Sequence, residues 1–232
     1  MYNEKYKIPM RFVFTNNQLK EEDCYDRFNN LVLHICHNPM NEIVVNSEIL
    51  YEYIKTNFPE YKFVSSTTKC IINPEESKNE IKDKKYFLTC IDYNLNKNWK
   101  FLNSIPKEER AKVEILINAI CPAGCQSRKE HYRLNSLFNL SYGKKYDLPT
   151  CGIKSNTLDP LLEKGNNLSP DEIFNKYVPN GFINFKIEGR TLSSNEMALN
   201  YAKFLTPSEN NLFITQVLLS MERKFKNLVY EN

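Results

Sequence analysis

Glycine is scarce in this chain, with only 6 among 232 residues. No G-x-G-x-x-G follows an early apolar run, and no G-x-x-x-x-G-K-[ST] occurs anywhere. Those loops let backbone N–H groups approach a phosphate closely, so the usual nucleotide-cradling sites are excluded. Histidine is equally thin, at 3 residues, which leaves no convincing Ser–His–Asp set. An H-E-x-x-H zinc-protease helix is also lacking. The formal net charge is only +3, so charge gives no indication of a nucleic-acid partner. No apolar run approaches the roughly 18 residues of a membrane span. "MYNEKYKIPM" has no apolar core of the signal-peptide kind. The expectation is a cytoplasmic protein with no membrane partner. Repeats, low-complexity tracts and a domain linker are all missing, which points to one domain over residues 1–232.

Hydrophobic residues make up 41% of the chain, enough for a substantial core. Short apolar runs alternate with longer amphipathic ones. The runs at 11–16, 30–35, 41–46, 62–68, 86–92, 113–120 and 181–187 read as strands covered on both faces, the mark of a parallel sheet. Helices are expected at 47–58 behind the N-cap Ser47, at 127–140, at 169–178, at 194–205, and from about 207 to 228. Ser169 followed by Pro170 is a cap with proline at the first helical position. Strand–helix alternation predicts an α/β fold with mainly parallel strands, a TIM-like (β/α) barrel, incomplete or irregular. The polar, turn-rich stretch 141–168 reads as a long loop excursion.

Against these scarcities stand seven cysteines. In a chain without an export signal they read as thiols, metal ligands or redox groups rather than disulfides. Cys36, Cys70, Cys121 and Cys125 all follow candidate strands, and Cys151 lies in the long loop. In a parallel barrel the loops after the carboxyl ends of strands build the site. "CPAGC" at 121–125 offers little core to fill, and Pro122 with Gly124 can bend two thiols towards one centre. The expectation is a metal or iron–sulfur centre that takes Cys121 and Cys125 as two ligands. Cys24 and Cys90 read as ordinary buried side chains. A mixed zinc site using His34, His37 and His131 with these thiols is the alternative. His131 beside Arg128, Lys129 and Arg133 reads equally well as solvated surface.

"FKIEGRT" at 185–191 ends a strand in Glu188, Gly189 and Arg190. Arg190 suits a bidentate clamp on a carboxylate or phosphate, or an internal pair with Glu188 at the rim. Lys69, Asp92 and Asn118 also end candidate strands and are expected to line the same pocket.

The K-I-E-G-R segment at 186–190, together with "VEILINAICPAGCQSRKEHY" at 113–132, resembles the collagenase-like peptidase family U32. The resemblance spans roughly residues 30 to 205. It implies a (β/α) barrel and a four-iron cluster on four cysteines, Cys121, Cys125, Cys151 and Cys70, the last preferred to Cys36. It further implies oxygen-independent hydroxylation or another modification of a ring or nucleobase, with Glu188 and Arg190 of the matched segment as catalytic residues, to which Lys69 is added from its strand-end position. A small molecule or RNA is the implied substrate, with a protein partner or electron donor. A metal-dependent or peptidase-like hydrolase, or a non-catalytic partner subunit, is the alternative.

Overall fold

The computed structural model describes residues 5–141, 146–147, 166–189, 193–206 and 208–230. Six strands form one sheet in the order β1 to β6: Arg11–Phe14, Glu42–Val45, Lys62–Ser65, Leu88–Cys90, Val113–Leu116 and Asn184–Lys186. Every neighbouring pair is parallel, and spatial order equals chain order. Such a sheet winds in one direction, so its crossovers share one face and its other face is free to curl. Between the strands run α1 (Arg27–Ile35), α2 (Glu48–Asn57), α3 (Pro74–Lys82), α4 (Trp99–Ser104) and α5 (Arg128–Leu140). After β6 come α6 (Ser194–Leu205) and α7 (Asn211–Tyr230). No described helix is long and apolar enough to cross a membrane.

The outer face carries two apolar clusters. One joins Ile43, Val45 and Phe63 to Leu50, Tyr51 and Ile54 of α2. The other joins Val113, Ile115 and Ile117 to Phe101 and Leu102 of α4 and to Tyr177, Phe182 and Phe204. The inner face holds Val44, Val64 and Leu88, with Cys90 and Leu116 beside them. Parallel pairing puts registered residues on the same side, so Arg11 with Glu42, and Cys90 with Glu114, point inward.

The curl follows from one contact. Arg11 of β1 reaches Glu114 of β5 through its Nη1, and also gives Nε to Glu42 at 2.6 Å. Four strand spacings in a flat sheet would separate β1 from β5 by about 19 Å, more than two side chains can bridge. The sheet is therefore a parallel half-barrel, an α/β fold of the class its alternation of runs foretold.

The stretch 30–35 is a correction. It lies within α1, not in a strand. Asp26 caps that helix by accepting from the Asn29 N–H, and only Leu33 is buried. Phe28, Leu31 and Ile35 face outward, and this exposed apolar stripe is what mimicked a strand buried on both sides. An unforeseen helix, α3, is capped by Asn73, whose side chain accepts from the N–H groups of Glu75 and Glu76. It buries only Ser77 and Ile81, too little apolar surface to show as a periodic pattern.

Candidate functional site

The carboxyl ends of β3, β4, β5 and β6 converge on one rim. After β3, Ser66 caps the short turn Thr67–Lys69 by accepting from Thr68 N–H at 3.1 Å. Cys70 closes that turn in the left-handed region, at φ 54° and ψ 45°. A non-glycine residue there costs roughly 1–2 kcal/mol, so the surrounding packing enforces its position. After β4, Asp92 caps the turn Tyr93–Leu95, and its Oδ1 accepts from Asn94 N–H at 2.9 Å.

After β5 the cysteine turn begins. Asn118 and Glu188 exchange bonds at 2.7 Å each way, the amide to the Glu188 carbonyl and the Glu188 N–H to Asn118 Oδ1. The Glu188 carboxylate accepts from Ile120 N–H at 3.1 Å. These bonds hold the start of the turn against the end of β6. Gly124, at φ 67°, donates its N–H to Asn94 Oδ1 at 2.8 Å. That positive φ is what glycine provides between the two thiols. Asn166 donates to the Cys121 carbonyl at 2.9 Å.

Beneath the turn lies Arg128, 4% exposed, ion-paired through Nη1 with Asp92, which is 0% exposed. Its Nη2 donates to the Thr67 carbonyl at 2.9 Å and to Thr67 Oγ1 at 3.1 Å. The guanidinium sits 4.0 Å from the centre of the Tyr93 ring. One cation thus ties the loops after β3 and β4 to the first residue of α5. Arg128, beside His131 in this basic segment, is not a surface residue, because Asp92 compensates its charge inside the protein.

The thiols sort cleanly. Cys70 is buried on the rim, and Cys121 and Cys125 are half-buried on the turn. Burial pushes the Cys70 thiol up, Arg128 opposes that, and the Cys125 charge is close enough to add to it. Cys121 packs on Cys90, Tyr93 and Leu116. Cys36, at the end of α1, lies at the opposite end of the sheet. Its carbonyl accepts from Asn41, the residue just before β2. It is therefore at the opposite end of the sheet from the rim that carries Cys70. Two strand ends, not three, bring thiols to the rim among the described residues.

The histidines do not converge either. His34 belongs to α1 and stacks on Phe58, and His37 contacts Phe58 and Tyr61 beside Cys36. A zinc site combining them with Cys121 and Cys125 is ruled out by their place at the amino end of the sheet. Lys69 turns to the outer layer, donating to Glu80 at 2.5 Å and to the Tyr86 hydroxyl at 2.7 Å. It pins α3 to β3 rather than facing the thiols. Arg190 and Cys151 lie outside the described residues.

Among the described residues, no group of three or more His, Cys, Asp or Glu side chains stands together as metal ligands. The donor types suit a thiophilic metal, and three thiols share a rim, but Cys70, Cys121 and Cys125 do not form a ligand group as they stand. The chain matches no protein-family model, no curated protein and no solved structure.

Cys90 allows a separate prediction. It is 3% exposed inside the half-barrel, and burial, then the Glu114 charge, push its thiol well above the ordinary value of 9.0. The folded chain thus keeps a proton that the unfolded chain loses, so this contribution is intact below about pH 9 and fades as pH rises towards the folded value. Stability is expected to fall above pH 9 with a share of about 1.4 kcal/mol per pH unit from this one group. Urea unfolding of Cys90→Ala across that range should show a shallower alkaline slope by that amount.

Proposed function

We propose that the carboxyl rim is a thiolate metal centre, with Cys70, Cys121 and Cys125 joined by Cys151 to hold an iron–sulfur cluster. On this reading the half-barrel is a TIM-like protein of the collagenase-like type. It acts in oxygen-independent hydroxylation or modification of a ring or nucleobase. The observation that carries the proposal is the partition of the thiols. Cys70, Cys121 and Cys125 share one rim, and Cys70 and Cys125 are within electrostatic reach of each other, while Cys24 and Cys36 lie elsewhere and Cys90 is buried beneath the rim against Cys121. The strained backbone at Cys70 fits a residue fixed for a purpose other than packing.

When bound, the cluster supplies one-electron chemistry. The chain's own residues do the rest. Arg128 brings a fixed positive charge beside Cys70 and so favours its thiolate. Leu116, Ala119 and Tyr93 cover one side of Cys121 and exclude water there. Glu188 and Asn118 hold the entry of the turn, so both of its thiols stay at the mouth.

Anaerobic reconstitution followed by iron and sulfide assay tests this reading. A brown protein with about four iron atoms per chain is expected. Serine at position 70, 121 or 125 should lower the iron content, whereas Cys36→Ser and Cys24→Ser should leave it unchanged. A colourless, iron-free protein would overturn the proposal, and zinc with no iron would replace the cluster by a different metal.

A further inference from the structure

One opening in the molecule lies away from the thiol rim. A cavity of about 660 Å³ lies at the carboxyl end of β1, between α1, α2 and the last turn of α5. That volume is within the range of small-molecule sites, and the carboxyl end of a parallel strand is where such folds place ligands. Phe14, Leu33 and Leu50 make its apolar wall. Tyr25 and Tyr53 stand at its side as an edge-to-face pair, ring centres 5.5 Å apart. Tyr25 is 70% exposed, an aromatic face left uncovered beside an open cavity.

The charge on the lining is one-sided. Glu22, Asp23 and Asp26 all border the cavity, and no Lys, Arg or His does so among the described residues. Lys20 approaches Glu22 at 3.6 Å, but both are more than 70% exposed, so that pair neutralises little. Asp26 caps α1 and part of its charge meets the positive end of that helix. Asp23 is engaged as well, accepting from the Lys20 N–H at 2.8 Å at the start of the turn Glu21–Tyr25, which leaves Glu22 the least offset of the three. The far wall, Asn139 and Leu140, is the carboxyl end of α5, where backbone carbonyls carry partial negative charge and no basic residue stands in the last turn. The Cys24 thiol registers the same field: burial, then Asp23 and Glu21, push it up.

We propose that this cavity binds a small organic cation, an ammonium carried on a flat apolar body. The body lies along Tyr25 and Tyr53 against Phe14 and Leu50, and the ammonium turns to Glu22, Asp23 and Asp26. The site is independent of the thiol centre. Along α5 it lies roughly 17 Å from Arg128, too far for shared chemistry.

Three ligands with one ring system separate the contributions: tyramine, 4-ethylphenol, which lacks the charge, and 4-hydroxyphenylacetate, which reverses it. Calorimetric titration of the full chain at low salt should show tyramine binding about tenfold more tightly than 4-ethylphenol, and the acid not at all. The double variant Glu22→Gln/Asp26→Asn should remove that advantage while leaving 4-ethylphenol unchanged. Asparagine is as good an N-cap as aspartate, so the variant keeps α1, which a thermal melt verifies. Tyr25→Ala should weaken both phenols. Equal affinity for tyramine and 4-ethylphenol, no tyramine binding at millimolar concentration, or an undiminished double variant would each overturn the site.

Discussion

Arg128→Met is expected to destabilise the folded chain by about 3–5 kcal/mol, because it leaves the Asp92 carboxylate buried with no cation. Burial works against the guanidinium charge, but Tyr132 and Asp92 more than offset it, so Arg128 holds its proton more firmly than usual. The same partners make the pair a single unit. Asp92→Asn keeps an acceptor for Asn94 but strands the arginine, and should cost a similar amount. Once one partner is gone, losing the other matters less. The double variant Arg128→Met/Asp92→Asn should therefore fall short of the summed single effects by about 1–3 kcal/mol. Urea unfolding of the four proteins measures this directly. Strict additivity would mean that Arg128 acts through the Thr67 carbonyl and the Tyr93 ring, with the carboxylate solvated some other way. The rim should respond as well. Arg128 holds the turn that ends at Cys70, so Arg128→Met should expose that thiol and speed its reaction with a disulfide reagent.

The strands were legible where their runs are buried on both faces. "EIVV" and "VEIL" are fully buried in the sheet, and no solvated face interrupts them. The failure at 30–35 has the same root, since an exposed apolar stripe on α1 carries the same composition as a buried strand. The cysteine turn was legible because a proline and a glycine between two thiols leave few structural alternatives. Arg128 was not, because a basic residue among Lys129 and Arg133 looks solvated until its partner is known. The missing signal was long-range: Asp92 follows β4 some 36 residues earlier, and only the fold places it under α5. Lys69 misled for the opposite reason. It does follow a strand, at the end of the turn Thr67–Lys69, but its side chain leaves the rim for Glu80 and Tyr86 on the outer layer. Position along a strand fixes a residue's height in a half-barrel, while its face depends on a local turn.

Charge inside the strands is the remaining feature that no motif announced, and it sets the last expectation. Arg11→Met should cost about 2–4 kcal/mol, somewhat less than loss of Arg128, because Arg11 is 28% exposed. Glu42 and Glu114 are 9% and 3% exposed, and a single guanidinium stands between them. Without it, two carboxylates face each other across the inner surface of the sheet. Glu114 already carries more charge than its partners answer. Its Oε2 is buried and has no hydrogen-bond partner among the described residues, a deficit worth about 1–3 kcal/mol. Glu114→Gln removes the surplus charge and keeps an oxygen for Arg11, so it should be neutral or slightly stabilising. Glu114→Leu should cost more than Glu114→Gln, because it also breaks the Arg11–Glu114 link between β1 and β5. Should Glu114→Gln prove as damaging as Arg11→Met in urea unfolding, the charge on Glu114 is needed, and the curl of the half-barrel rests on a full ion pair rather than on a single shared bond.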